Sequence, residues 1–266
     1  MTRRTRSGSR PPWGLLLPGT VGMALLVLPL LGLVIRAPWG TLDRTVTSAG
    51  VGGALRLSLV TASIATGTAL LFGVPLAWLL ARTDFPGRQL LRALVTVPLV
   101  LPPVVGGVAL LLAFGRTGYL GRWVYAHTGY SLPFTTAAVV VAQVFVAMPF
   151  LVVSVEGALR GLDVRYEEAA AGLGASRWYA FRRVTLPMIA PGLAAGAALC
   201  WARALGEFGA TITFAGNYPG VTRTMPLAVY LAFDSDPAGA VALSLVLLAV
   251  SVAVLAALRS RWLPTA

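Results

Sequence analysis

The chain has 266 residues, 57% of them apolar and only 11% charged, too few polar groups to cover a water-soluble globule, so lipid must solvate much of it. Its basic charge is all arginine, 21 against nine acids, and these arginines flank apolar runs, which points to anionic lipid headgroups and away from nucleic acid. With no lysine, one histidine (His127) and one cysteine (Cys200), it carries no Walker A, Schiff-base or pyridoxal lysine, no zinc or iron–sulfur cluster and no intrachain disulfide.

Residues 1–12 form a basic segment with Arg3, Arg4, Arg6 and Arg10, and an apolar run, Trp13–Ile35, follows. That run is longer than the roughly 7–15 residues of a signal-peptide core and ends in no small-x-small site, so it reads as an uncleaved first transmembrane helix over 13–36. Further apolar stretches long enough to span a bilayer run Leu57–Ala81, Ala93–Gly115, Pro133–Val155, Val184–Ala202 and Pro237–Leu258. The third contains Pro98, Pro102 and Pro103 with Gly106 and Gly107, which predicts a kinked helix bordering a pathway or packed against neighbours. An outer loop, Arg116–Pro133, carries Tyr119, Trp123, Tyr125 and Tyr130, aromatics at home at a membrane interface. His127 within it reads as solvated, and Cys200 as packing.

Six spans put both ends on one side. With the N-terminus inside, the inner segments hold Arg3, Arg4, Arg6, Arg10, Arg82, Arg88, Arg92, Arg160, Arg165, Arg177, Arg182, Arg183, Arg259 and Arg261. The outer segments hold Arg36, Arg44, Arg56, Arg116, Arg122 and Arg223. The bias places both termini, including the tail 259–266, in the cytoplasm.

The longest polar stretch, Glu156–Pro187, lies between spans four and five. It reads as two short helices: Val164 to Leu173, capped by Asp163 and stopped by a left-handed Gly174, and Arg177 to about Leu186, capped by Ser176. Ala169, Ala170 and Ala171 give the first a small-residue surface beside Glu167 and Glu168, while Trp178, Phe181 and Arg182 share a face of the second.

Glu168-Ala169-Ala170, three residues, Gly174, nine residues, Val184, Thr185, Leu186-Pro187 resembles the EAA signature of ABC-importer permeases, E-A-A-x3-G-x9-I-x-L-P, with valine for the usual isoleucine. The resemblance implies an all-α membrane protein of type I importer architecture. Its permease core would occupy residues 50–258, five spans and the coupling loop 156–187. Glu168 to Gly174 would form a coupling helix seated in a separate ATPase subunit, with Val184, Leu186 and Pro187 completing the loop. It also implies a homodimer in a bacterial or archaeal inner membrane, two ATP-binding cassette subunits holding the ATP and Mg, and an extracytoplasmic substrate-binding protein. The chain itself would be no enzyme and hold no cofactor.

A second stretch, Gly206-Glu207-Phe208-Gly209-Ala210-Thr211-Ile212-Thr213-Phe214 with Asn217, Pro219-Gly220, Thr222-Arg223-Thr224, Pro226 and Tyr230, is similar to the molybdate (or tungstate) branch of the oxyanion importers. The sulfate/thiosulfate branch usually has Gly-Glu-Tyr-Gly-Ser at the first five positions and is the alternative. An ATP-independent secondary transporter would carry internal repeats, and none is evident here; an intramembrane enzyme would need a nucleophile–base constellation that these residues do not supply.

Arg203 and Glu207 stand four apart on the expected extension of span five. Ionisable groups at membrane depth pair or line a polar cavity, so the two read either as a structural ion pair or as a pathway site attracting a dianion. Thr211 and Thr213 are neutral candidates beside them, although threonines in apolar helices often bond their own backbone.

Overall fold

The computed structural model describes residues 13–47 and 49–262, and all regular structure among them is helical. The basic segment 1–12 and the last four residues lie outside the described residues. Among the described residues, five helices are long and apolar enough to cross a membrane, or six if a sharply bent pair counts as one span.

Helix α1 (Trp13–Ile35) is the expected first span; it lies against the last helix and keeps nearly all its described side chains exposed. A short α2 (Leu42–Thr47) leads to α3 (Ala49–Arg82), which at 34 residues is about 51 Å long. The second span thus begins eight residues before the expected Leu57; Gly50, Gly52 and Gly53 weaken the helix without ending it, and Arg56 can sit beyond the hydrocarbon.

The expected continuous third span is two helices, α4 (Arg88–Val100) and α5 (Pro103–Phe114), bent by 120°. Leu101 precedes a proline and is held extended (φ −66°, ψ 129°), and Pro103, without an N–H, starts the next helix. Arg92 on α4 bonds Glu156 near the C-terminal end of α7, whereas Leu110 on α5 packs in one cluster with Ala138 and Val139 at its N-terminal end. The pair therefore crosses the membrane as a broken span.

The expected outer loop contains a ten-residue helix, α6 (Tyr119–Thr128), ended by Gly129 in the left-handed region, with the Trp123 and His127 rings 4.6 Å apart. Helix α7 (Thr136–Gly161) starts three residues later than expected, where the Thr135 side chain caps it, and runs six further than Val155. Its core-facing residues Ala147, Leu151, Val152, Val155 and Leu159 meet Ala62, Ala65, Ala69, Ala77 and Leu80 of α3.

The loop between α7 and α10 carries α8 (Arg165–Gly172) and α9 (Arg177–Ala180). The expected separate second helix is not separate: a π-helical turn, Phe181–Thr185, joins α9 directly to α10 (Leu186–Leu205). Pro187 cannot donate into an α-helical ladder, and the widened turn, in which the Leu186 N–H reaches the Phe181 carbonyl, absorbs it. Helix α10 packs tightly on α7: a Cβ on Gly192 would come within 2.6 Å of the Ala158 Cβ, and one on Gly196 within 2.8 Å of the Ser154 Cβ. Small residues at such crossings let backbones approach where lipid removes the usual hydrophobic drive. Cys200 is buried in this α3–α7–α10 core.

Helix α10 ends at Leu205, so Glu207 does not lie on an extension of span five. Gly206 and Gly209 interrupt the helix, and a six-residue α11 (Gly209–Phe214) begins in a new direction against α5. A loop and α12 (Met225–Ser235) lead to α13 (Pro237–Trp262), whose start coincides with the expected sixth span.

Candidate functional site

The loop that carries α8 and α9 is built on end-caps. The Asp163 carboxylate accepts from the Arg165 N–H at 3.0 Å, and the Ser176 hydroxyl from the Tyr179 N–H at 3.2 Å. Gly174 has φ 84°, and the Ala175 N–H reaches back to the Ala170 carbonyl at 3.0 Å, closing the turn after α8. Space around Gly174 is open to 4 Å, so the demand for glycine comes from the backbone alone.

No residue of α8 is buried. Glu168 and Ala169 face solvent, Ala170 is half-buried, and Leu173 beside Gly174 is 91% exposed. Tyr166, Trp178 and Tyr179 are exposed around it, giving the tip an apolar surface with no covering element. Leu173 and Tyr166 were legible as apolar residues inside a polar loop, yet the signature does not single them out. Val184, Leu186 and Pro187 sit at the root, in the π turn and the first residues of α10, away from the tip.

Two ionic clusters hold together the face of the bundle beside α8. Glu167 accepts from Arg82 Nε at 3.2 Å and from the Thr185 hydroxyl at 3.0 Å, while Arg82 donates a second bond to the Leu162 carbonyl at 3.2 Å. Glu156, nearly buried, accepts from Arg92 Nη2 at 2.6 Å and pairs with Arg160 at 3.0 Å; Arg92 also donates to the Leu80 carbonyl. Arg88 pairs with Asp84 in the preceding turn. Helix α4 buries no side chain, so the Arg92–Glu156 pair is a principal tie between its inner end and the core.

At membrane depth Arg203 Nη2 lies 2.7 Å from Glu207 Oε2. The other Glu207 oxygen accepts from the Ala210 N–H at 2.7 Å and caps α11. The side chain of Glu207 is 1% exposed, that of Arg203 27%, so the cation is the partner left accessible. Thr213 spends its hydroxyl on the Gly209 carbonyl. Thr211 is fully buried, and its hydroxyl has no partner among the described residues. Nearby, the Thr222 hydroxyl accepts from the Tyr218 N–H, and Arg223 donates to Asn217.

Gln143, fully buried on α7 with both ends of its amide unpartnered, escaped the sequence reading. A lone glutamine in an apolar run is the sequence signal that could have found it.

Residues 73–263 match the family described as binding-protein-dependent transport system inner membrane component. The chain is 48% identical over 251 residues to the molybdenum transport system permease protein ModB of Mycobacterium bovis, covering 94% of each chain. It is 38% identical over 224 residues to the sulfate transport system permease protein CysT of Escherichia coli, covering 82% of this chain and 80% of that one. In structure it is similar to a chain of a bacterial alginate ABC transporter bound to its periplasmic protein, with a TM-score of 0.74, 17% identity and coverage of 92% and 91%.

Proposed function

From the premise that this chain belongs to the family of inner membrane components of binding-protein-dependent transport systems, and is therefore a permease subunit of an ABC transporter, we propose that its cargo is molybdate. The observation that carries the proposal is the 48% identity with a molybdenum permease across 94% of both chains, against 38% over a shorter span for the sulfate permease. Tungstate, of the same charge and shape, falls in the same class.

In this reading two copies of the chain form a central pathway in the inner membrane, with both termini in the cytoplasm, as the arginine distribution supports. Two ATP-binding cassette subunits hold ATP and Mg, since a chain without lysine supplies no Walker A lysine. An extracytoplasmic binding protein delivers the anion. Glu168, Ala169, Ala170 and Gly174 seat in the ATPase subunit, aided by exposed Leu173. Val184, Leu186 and Pro187 pass the movement of that seat into α10. When ATP closes the ATPase pair the coupling helices move together, and the bundle opens outward.

Along the pathway Arg203 attracts the dianion, and Glu207 offsets part of its charge so that the anion is not held too tightly to leave. Thr211 offers a neutral donor once the bundle opens, whereas Thr213 keeps its hydroxyl on its own helix. Arg203→Gln is expected to lower molybdate uptake about fivefold and Thr213→Val to change it less than about twofold. Uptake of labelled molybdate into vesicles carrying each variant measures both.

The test of the function is ATP hydrolysis and oxyanion uptake by the reconstituted complex with its binding protein. Stimulation by molybdate that excess sulfate does not suppress is the expected result. Stimulation by sulfate alone moves the chain to the sulfate branch, and uptake driven by an ion gradient without ATP removes the importer reading.

A further inference from the structure

Two adjacent carboxylates on α8 differ in their surroundings, although both border the same cavity. Glu168 faces the solvent in which an ATPase subunit would sit, and Glu167 turns back into its own chain. Behind α8 lies a cavity of about 450 Å³ lined by Trp78, Ala81, Val164, Ala171 and Phe181, and α8 buries no side chain of its own. Apolar packing therefore does not fix this helix to the bundle. What crosses the gap is the Glu167 carboxylate.

One oxygen of that carboxylate collects Arg82, the last residue of α3, and Thr185, the last residue of the π turn beneath α10. Arg82 extends the connection to the Leu162 carbonyl just past α7. The ends of α3 and α10 thus meet on the Glu167 carboxylate, and the end of α7 joins them through Arg82. The Arg82 side chain is 10% exposed and that of Glu167 22%, so the pair is screened less by water than a surface ion pair.

Resting on the permease reading, we infer that Glu167 is a positioning residue for energy coupling: with Arg82 and Thr185 it makes the coupling helix move as one body with α3, α7 and α10. Displacement of α8 is delivered through this clamp to three helix ends at once. Without it α8 can follow the ATPase subunit into the cavity behind it while the bundle stays still.

The test uses the full complex with its binding protein in proteoliposomes and reads molybdate transported per ATP hydrolysed, beside the yield of ATPase subunit co-purifying with the permease. Glu167→Ala and Arg82→Ala are each expected to lower transport per ATP about fivefold at an unchanged ATPase yield. Glu167→Gln, which keeps an acceptor oxygen for Arg82 and Thr185, is expected to recover at least half of the ratio. An unchanged ratio in both alanine variants overturns the inference, and so does a loss of ATPase yield in step with the ratio, which would make Glu167 part of the seat. If the alanine variants fail to reach the membrane, Thr185→Val removes one donor alone; a lowered ratio supports the clamp and an unaltered one overturns it. Failure of the docking reading is separately visible, as an unchanged ATPase yield in Glu168→Ala.

Discussion

Replacing Gly174 by valine is expected to lower ATP-driven molybdate uptake about tenfold, and replacing it by asparagine to leave uptake within about twofold. The residue has φ 84° in open surroundings, so a side chain meets no neighbour and the whole penalty is conformational. An ordinary L-residue in that region costs about 1–2 kcal/mol, a branched Cβ falls at the upper end, and asparagine tolerates it. The valine chain escapes the strain by releasing the backbone bonds from Gly174 and Ala175 to the end of α8, and the tip carrying Glu168 and Leu173 is redirected. Uptake and ATPase co-purification, compared at equal permease content, measure the effect. A valine variant matching the unaltered chain in both would show that the turn does not set the tip.

A large loss of stability is expected at Gly107. A Cβ there would stand 2.6 Å from the Thr213 Cβ and 2.9 Å from the Ala210 carbonyl oxygen, while one on Gly209 would stand 2.9 Å from the Pro103 Cβ. The two glycines face each other's helices, so α5 and α11 touch almost backbone to backbone. Gly107→Ala already forces the helices apart, and Gly107→Val is expected to cost about 3 kcal/mol. Gly157 on α7 provides the control: it is exposed, with open space around it, and alanine there should be neutral or stabilising by up to about 1 kcal/mol. Thermal unfolding midpoints in detergent compare the three; a Gly107→Val chain as stable as the unaltered one removes the close-contact argument.

Much of the fold was readable because lipid forces helices to declare themselves by length and apolarity. The first span ends at Ile35 as expected, and the start of the last matches at Pro237. The caps at Asp163, Ser176 and Gly174 were readable for the same kind of reason, as each acts over two to five residues of local chain. The break in span three was visible only as a kink, since a double proline shows that a helix is interrupted but not that its halves turn by 120°. Helices α11 and α12 escaped because six and eleven residues are too few for periodicity to register against a uniformly apolar background.

The site divides similarly. Arg203 and Glu207 were paired from their spacing, and they do pair, although the helix that justified the spacing stops between them. The interruption between two glycines lets the carboxylate cap the next helix as well. Glu167 and Glu156 stood in plain view as loop acids, but their partners Arg82 and Arg92 lie 85 and 64 residues away, and only tertiary packing joins them.

The π turn at Phe181–Thr185 has a geometric effect beyond accommodating Pro187. Each α-helical residue advances the azimuth by about 100°, and a π turn uses one more residue to gain the same revolution. The direction in which Trp178 and Tyr179 project is thereby phased independently of the stripe, Gly192 and Gly196, that meshes with α7. Winding the same residues as an unbroken α-helix would keep a continuous rod yet rotate Trp178 and Tyr179 by about 100°, like a key cut correctly but fitted to the bow at the wrong angle.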